Sequence, residues 1–267
     1  MIKKAIFIFS ILLFTVVVFA HECFFSVNKY KVQQGDMLEV HLFIADGFNV
    51  QLEKSLQKKN IRKFELITQN GKVDLLGVGN ENDLPILNRK VDFTGLGLLH
   101  MERDYARISL PTKKFLAYLK EDHLENIQLK KDFLKQVQKE RYSRYVKTLV
   151  QSGDKPIGDE YKKVVGQNFE IVLLQNPYTL KLGSSLQAQI LFIGKPLVNK
   201  VITARNRTGS QSAQVALSRT DANGICTFKI NRNGEWFLHA THIIECPDKT
   251  DSDWESYWAT YSFQIGG

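Results

Sequence analysis

Along most of this chain apolar and polar positions alternate with a period of two, and the alternation breaks once, after Pro111. In "MLEVHLFIA" Leu38, Val40, Leu42 and Ile44 share one face, while Met37, Glu39, His41 and Phe43 share the other. That is the pattern of a half-buried strand. "FFSVNKYKV" precedes it across the Gly35-Asp36 turn, and "KFELIT" and "KVDLLGVG" follow, joined by Asn70-Gly71 as a hairpin turn. "GLGLLHMERDYARISL" reads as another pair of strands, so residues 21–110 are expected to form an N-terminal β-sandwich domain. From 111 to 166 the pattern predicts a helical insertion and linker. From Thr112 to Gln151 the stretch lacks Gly and Pro, and it pairs Phe115 with Leu119, Phe133 with Val137 and Tyr145 with Leu149, each four apart. Strands return in "FEIVLL", "LQAQILF", "RTDANGICTFKI", "EWFLHATHI" and "YWATYSFQI". About seven strands in roughly a hundred residues are the spacing of an immunoglobulin-like sandwich over 167–267. The expected fold is therefore mainly β, with two β-sandwich (immunoglobulin-like) regions and a helical insertion between them.

The first twenty residues predict an address. Lys3 and Lys4 precede an apolar run from Ala5 to Phe19, and Val18 and Ala20 place small residues at −3 and −1 of a cleavage site. This is the pattern of a signal peptide over 1–20, cut between Ala20 and His21, for a periplasmic or secreted protein. No second apolar stretch is long enough to span a bilayer, so no membrane insertion is expected after cleavage. The formal charge of +8 comes from dispersed lysines. In an exported chain these read as a solvated surface rather than a nucleic-acid site.

Chemistry is expected from histidine and cysteine. GxSxG, HExxH, CxxC and phosphate-cradling glycine motifs are absent from the sequence, so no catalytic residue is assigned. Cleavage would leave His21 as the first residue. A terminal amine has a pKa of ~7.7–8.0 and, with the ring Nδ1 of the same residue, closes a chelate on one metal ion. Nitrogen donors of this kind suit Ni, Co, Cu or Zn. In "HATH" the two histidines are three apart, which on a strand sends them to opposite faces. His242 then lies with Trp236, Leu238 and Ala240, and His239 with Phe237 and Thr241. Cys226 shares a face with Phe228 and Ile230 and reads as a buried thiol. That leaves Cys23 and Cys246 as a candidate disulfide. Such a bridge would carry His21 toward His242, since each cysteine lies an even number of residues from its histidine.

The segments "ERYSRYVKTLVQSGD" (140–154), "LQNPYTLKLGSSL" (174–186), "RTDANGICTFKI" (219–230), "LHATHI" (238–243) and "DWESYWATYSF" (253–263), behind an "AHE" start, resemble a bacterial periplasmic family. That family is catalogued as domain of unknown function 4198 and is similar to periplasmic components of nickel and cobalt uptake systems. The resemblance implies β-sandwich domains, export and a role in handling transition metals. Carried over by position, it implies His21 and His242 as metal ligands. His100 or His41 are weaker candidates for a further position, each needing its strand to face the site. This chain departs from the family start "HEFW" at Cys23-Phe24. The expectation is an exported, non-catalytic metal-binding protein that assists uptake or buffering, with a metal ion and a membrane metal-uptake transporter as partners. The competing expectation is a metal-free carbohydrate- or protein-binding sandwich, with the aromatic residues of "DWESYW" as its surface. A copper-dependent oxidative enzyme is a third, lesser reading.

Overall fold

Which faces of the strands are apolar decides how they stack. The structure, a computed structural model, describes residues 22–124, 127–129, 136–211 and 213–266. Residues 1–20, the expected signal segment, and His21 lie outside these residues. In the first half the strands are β1 (Glu22–Val27), β2 (Lys31–Val32), β3 (Met37–Asp46), β4 (Asn49–Lys54), β5 (Ile61–Thr68), β6 (Gly71–Asp74), β7 (Leu87–Lys90) and β8 (Gly95–Pro111). Helix α1 (Thr112–Glu121) and strand β9 (Val137–Ser152) follow. The second half carries β10 (Phe169–Leu173), β11 (Ser185–Phe192), β12 (Lys195–Pro196), β13 (Val201–Arg207) and β14 (Gln214–Arg219). It ends with β15 (Ile225–Lys229), β16 (Gly234–Glu245) and β17 (Trp254–Ile265).

Strands from both halves join one nine-stranded sheet in the order β14-β13-β16-β17-β9-β8-β5-β6, with β2 paired to the end of β9. The two halves meet where β17 runs parallel to β9. One face of this sheet presents Phe64, Leu66, Leu99, Met101, Val146 and Val150, which pack against Phe25, Val40 and Leu42 of the small β1-β3-β4 sheet. The opposite face presents Leu98, Leu149, Leu238 and Phe263 to Phe169, Ile171, Leu186 and Phe228 of the β10-β11-β12 sheet. The chain is thus mainly β, and its two sandwich regions share the long sheet as a common layer. Helix α1 covers the part of the first face that β1 does not reach, packing Phe115, Tyr118 and Leu119 against Ile243, Trp254 and Trp258.

Two expectations are corrected. Residues 137–152 form a strand, not a helix. Tyr145 and Leu149 do share a face, but a separation of four returns to the same face in a strand as well as in a helix. From Tyr145 to Ser152 the strand is buried on both faces, so the polar alternation that would have marked it is missing. The stretch 95–111 is likewise one long strand rather than two. A register shift between Arg103 and Ala106 bends it without ending it. Among the described residues the α-helix spans Thr112–Glu121, where Phe115 and Leu119 fall on the buried side as expected. Phe133 lies outside the described residues.

Candidate functional site

β1 is held from two sides. It pairs with β3 along one edge, and two hydroxyls of β17 reach its carbonyls. Thr260 Oγ1 donates to the carbonyl of Cys23 at 2.6 Å, and Ser262 Oγ donates to that of Phe25 at 2.6 Å. Phe24 stacks on Phe237 of β16 with ring centroids 4.7 Å apart. Glu22 accepts from Arg205 Nε at 2.6 Å and from the backbone N–H of Gly47 at 3.0 Å. The start of β1 is therefore clamped over β13, β16 and β17, in the seam between the small sheet and helix α1.

The histidine in that seam is His239. It stands opposite Thr260 across the β16–β17 ladder and is 6% exposed. Its neighbour on the same face is Thr241, whose hydroxyl donates to Asp122 Oδ2 at 2.8 Å. With its proton committed, the Thr241 oxygen is an acceptor for His239 Nε2, 3.2 Å away. The ring proton of neutral His239 is thereby assigned to Nε2. Its Nδ1 is a buried lone pair with no hydrogen-bond partner among the described residues. Burial pushes the His239 pKa down to about 4; Glu22 opposes the shift, while Arg205, Lys200 and Arg144 add to it. The ring is neutral at pH 7, the state a metal or a donor requires. Burial also pushes the Asp122 carboxyl up to about 7, against the hydrogen bond from Thr241.

The structure does not bring together the histidines expected from the sequence. His242 points to the opposite face of β16, as strand alternation requires. There its ring lies 4.4 Å from the Phe192 centroid and 6.0 Å from that of Phe169. Burial holds it near pKa 4, helped by Lys200. His100 is fully buried on that same far face, in the lateral row Leu238, Tyr261, Lys147, His100. Its Nε2 bonds Glu65 at 2.9 Å, and the neighbouring Lys147 makes the place unfavourable for a cation. Its pKa falls to about 4, chiefly by burial, against the pull of Glu65. His41 bonds Glu53 at 2.6 Å on the small sheet, away from the seam.

The cysteine pairing is corrected too. Cys23, Cys226 and Cys246 are all free and buried. Cys23 sits beside Thr260 and hence level with His239, whereas Cys246 follows seven residues later along the same strand direction. At ~3.3 Å per residue the two are on the order of 20 Å apart, far beyond the ~7 Å limit for a bridge. The "DWESYW" aromatics form no open platform: Trp254 and Trp258 are buried under α1, their rings against Phe115 and Tyr118.

The family description "Domain of unknown function (DUF4198)" matches residues 18–244. The chain belongs to this family. No curated protein matches the sequence. Among solved structures, the D0-D1 domain of intimin is similar at 9% identity and a TM-score of 0.22, with 91% of this chain and 97% of that one covered. A tetra-tandem repeat from the extending region of a large adhesion protein is similar at 9% identity and a TM-score of 0.20, with 91% of this chain and 49% of that one covered. For this DUF4198 member the function must be argued from the seam itself. Among the described residues no three His, Cys, Asp or Glu side chains gather as a metal site.

Proposed function

We propose that this DUF4198 protein is an exported, non-catalytic transition-metal-binding protein that holds nickel, cobalt or copper through a mature N-terminal histidine, for uptake or buffering. His21 supplies its amine and ring nitrogens. His239, in place of His242, supplies the next imidazole. One observation carries the reading: the unpartnered Nδ1 lone pair of His239 lies in the seam where β1 begins. His21 is a single peptide away from Glu22, 3.8 Å from Cα to Cα, and the Glu22 carboxylate acts electrostatically on the His239 ring. A ligating histidine characteristically donates its other ring N–H to a fixed acceptor, and the Asp122–Thr241–His239 relay provides that acceptor.

Titration of Ni²⁺ and Cu²⁺ into three chains tests the reading: one beginning at His21, one with a single glycine added before it, and one carrying His239→Ala. The added residue converts the chelating amine into an amide. Both changed chains are expected to bind at least about a hundredfold more weakly. Equal affinity in all three would overturn the assignment.

A further inference from the structure

The other end of the same seam holds two arginines and a lysine that no carboxylate of the described residues ion-pairs. Arg103 on β8 and Arg144 on β9 stand directly opposite one another in the antiparallel ladder. Like charges in that position repel. The register shift that follows Arg103 is the kind of irregularity that re-aims side chains beside a binding site. Together with Lys54, Gln57, Asn60 and Tyr142 they line a cavity of about 250 Å³. The one carboxylate on its wall, Asp104, is engaged by Arg62, whose Nε donates at 3.0 Å.

Among the described residues, no carboxylate forms an ion pair with Lys54, Arg103 or Arg144. Arg103 donates from Nη2 to the neutral Gln57 Oε1 at 3.2 Å. Arg144 lies over the Tyr142 ring, 5.2 Å from its centroid, and its buried Nε has no hydrogen-bond partner among the described residues. Burial pushes Arg103 below the usual guanidinium range, and Arg144 pushes it further. Lys54 is lowered by burial and then by both arginines. Guanidinium groups stay protonated in proteins, so the repulsion cannot be relieved by losing a proton. It can be relieved by an anion.

We propose that this cavity binds a small oxyanion carrying at least two negative charges, held between the Arg103 and Arg144 guanidinium groups with Lys54 closing the rim. Planar guanidinium forks match phosphate, sulfate and carboxylate geometry alike. The volume falls below the ~300–1,000 Å³ of sites for drug-sized ligands, which limits the occupant to an inorganic oxyanion or a small di- or tricarboxylate. This inference does not depend on the metal reading.

Calorimetric titration of the metal-stripped chain beginning at His21, at fixed ionic strength in sodium chloride, tests it with four probes: inorganic phosphate, sulfate, succinate and citrate. At least one is expected to bind saturably at one site, and the ranking separates inorganic from carboxylate occupants. Arg103→Gln and Arg144→Gln are each expected to weaken that binding at least about tenfold. Lys54→Gln, at the more exposed rim, is expected to weaken it about threefold, which keeps the test open if an arginine variant fails to fold. Adding a glycine before His21 should leave oxyanion binding unchanged, so failure of the metal reading is distinguishable from failure of this one. Absence of saturable binding by all four probes, or undiminished binding in the substituted chains, would overturn the proposal.

Discussion

The Thr241 hydroxyl decides which nitrogen of His239 is available. Because its proton goes to Asp122, it can only accept from Nε2, and the lone pair is left on Nδ1. Thr241→Val keeps the shape and removes the relay, so metal affinity is expected to fall about 10–100-fold while the melting temperature changes little. An unchanged affinity in the same titration would show that the ring is not oriented this way. A second buried pair tests the opposite face of the sheet. Lys147 and Glu170 meet at 2.6 Å with both side chains 1% exposed. Glu170 also accepts from the backbone N–H groups of Val165, Gly166 and Gln167. Glu170→Gln leaves a buried ammonium without its counter-charge, and urea unfolding at pH 7 should show a loss of about 3–5 kcal/mol. A loss under about 1 kcal/mol would contradict the pairing.

Strand β9 carries a titratable group whose sign can be worked out. Glu140 is 2% exposed and accepts from Tyr118 Oη at 3.4 Å and from Ser256. Burial raises its pKa from 4.5 to about 7, against those hydrogen bonds and Arg144. The folded state therefore binds the proton more tightly than the unfolded chain. Stability from this group is full below about pH 4.5 and is lost as pH rises through about 7, a change of about 3 kcal/mol. Glu140→Gln should flatten that part of the stability-against-pH curve; an unaltered slope would count against it. The same strand shows why sequence reading succeeded unevenly. Asn70-Gly71 and the alternation in β3 and β11 were legible because one side of each of these strands is covered more fully than the other, which preserves the contrast between faces. β9 was not, because sheets on both sides bury it and erase that contrast. His239 and His242 were correctly separated onto two faces by strand geometry alone. Which face meets the start of β1 was not legible, because it depends on Thr260 and Ser262 gripping carbonyls some 237 residues away in sequence. His242, the ligand that the family resemblance implies, therefore lies on the face away from the start of β1.

Across the whole molecule, the shared nine-stranded sheet ties both halves into one cooperative structure. β8, β9 and β17 each contribute side chains to cores on both faces, so neither sandwich can open without exposing the other's layer. Calorimetry is expected to show one unfolding transition with matching calorimetric and van't Hoff enthalpies. Two resolved transitions would mean that the halves are independent. The arrangement also explains why a site can form where it does: the small sheet and α1 cover adjacent parts of one face and leave a seam, with carboxylates and His239 at one end and unpaired arginines at the other. The most direct test of the metal assignment is a crystal structure of the chain beginning at His21, grown with Ni²⁺, with the ion located by its anomalous scattering. The peak should lie between the terminal amine and Nδ1 of His239. A peak at His242 or His100, or none near the start of β1, would contradict it.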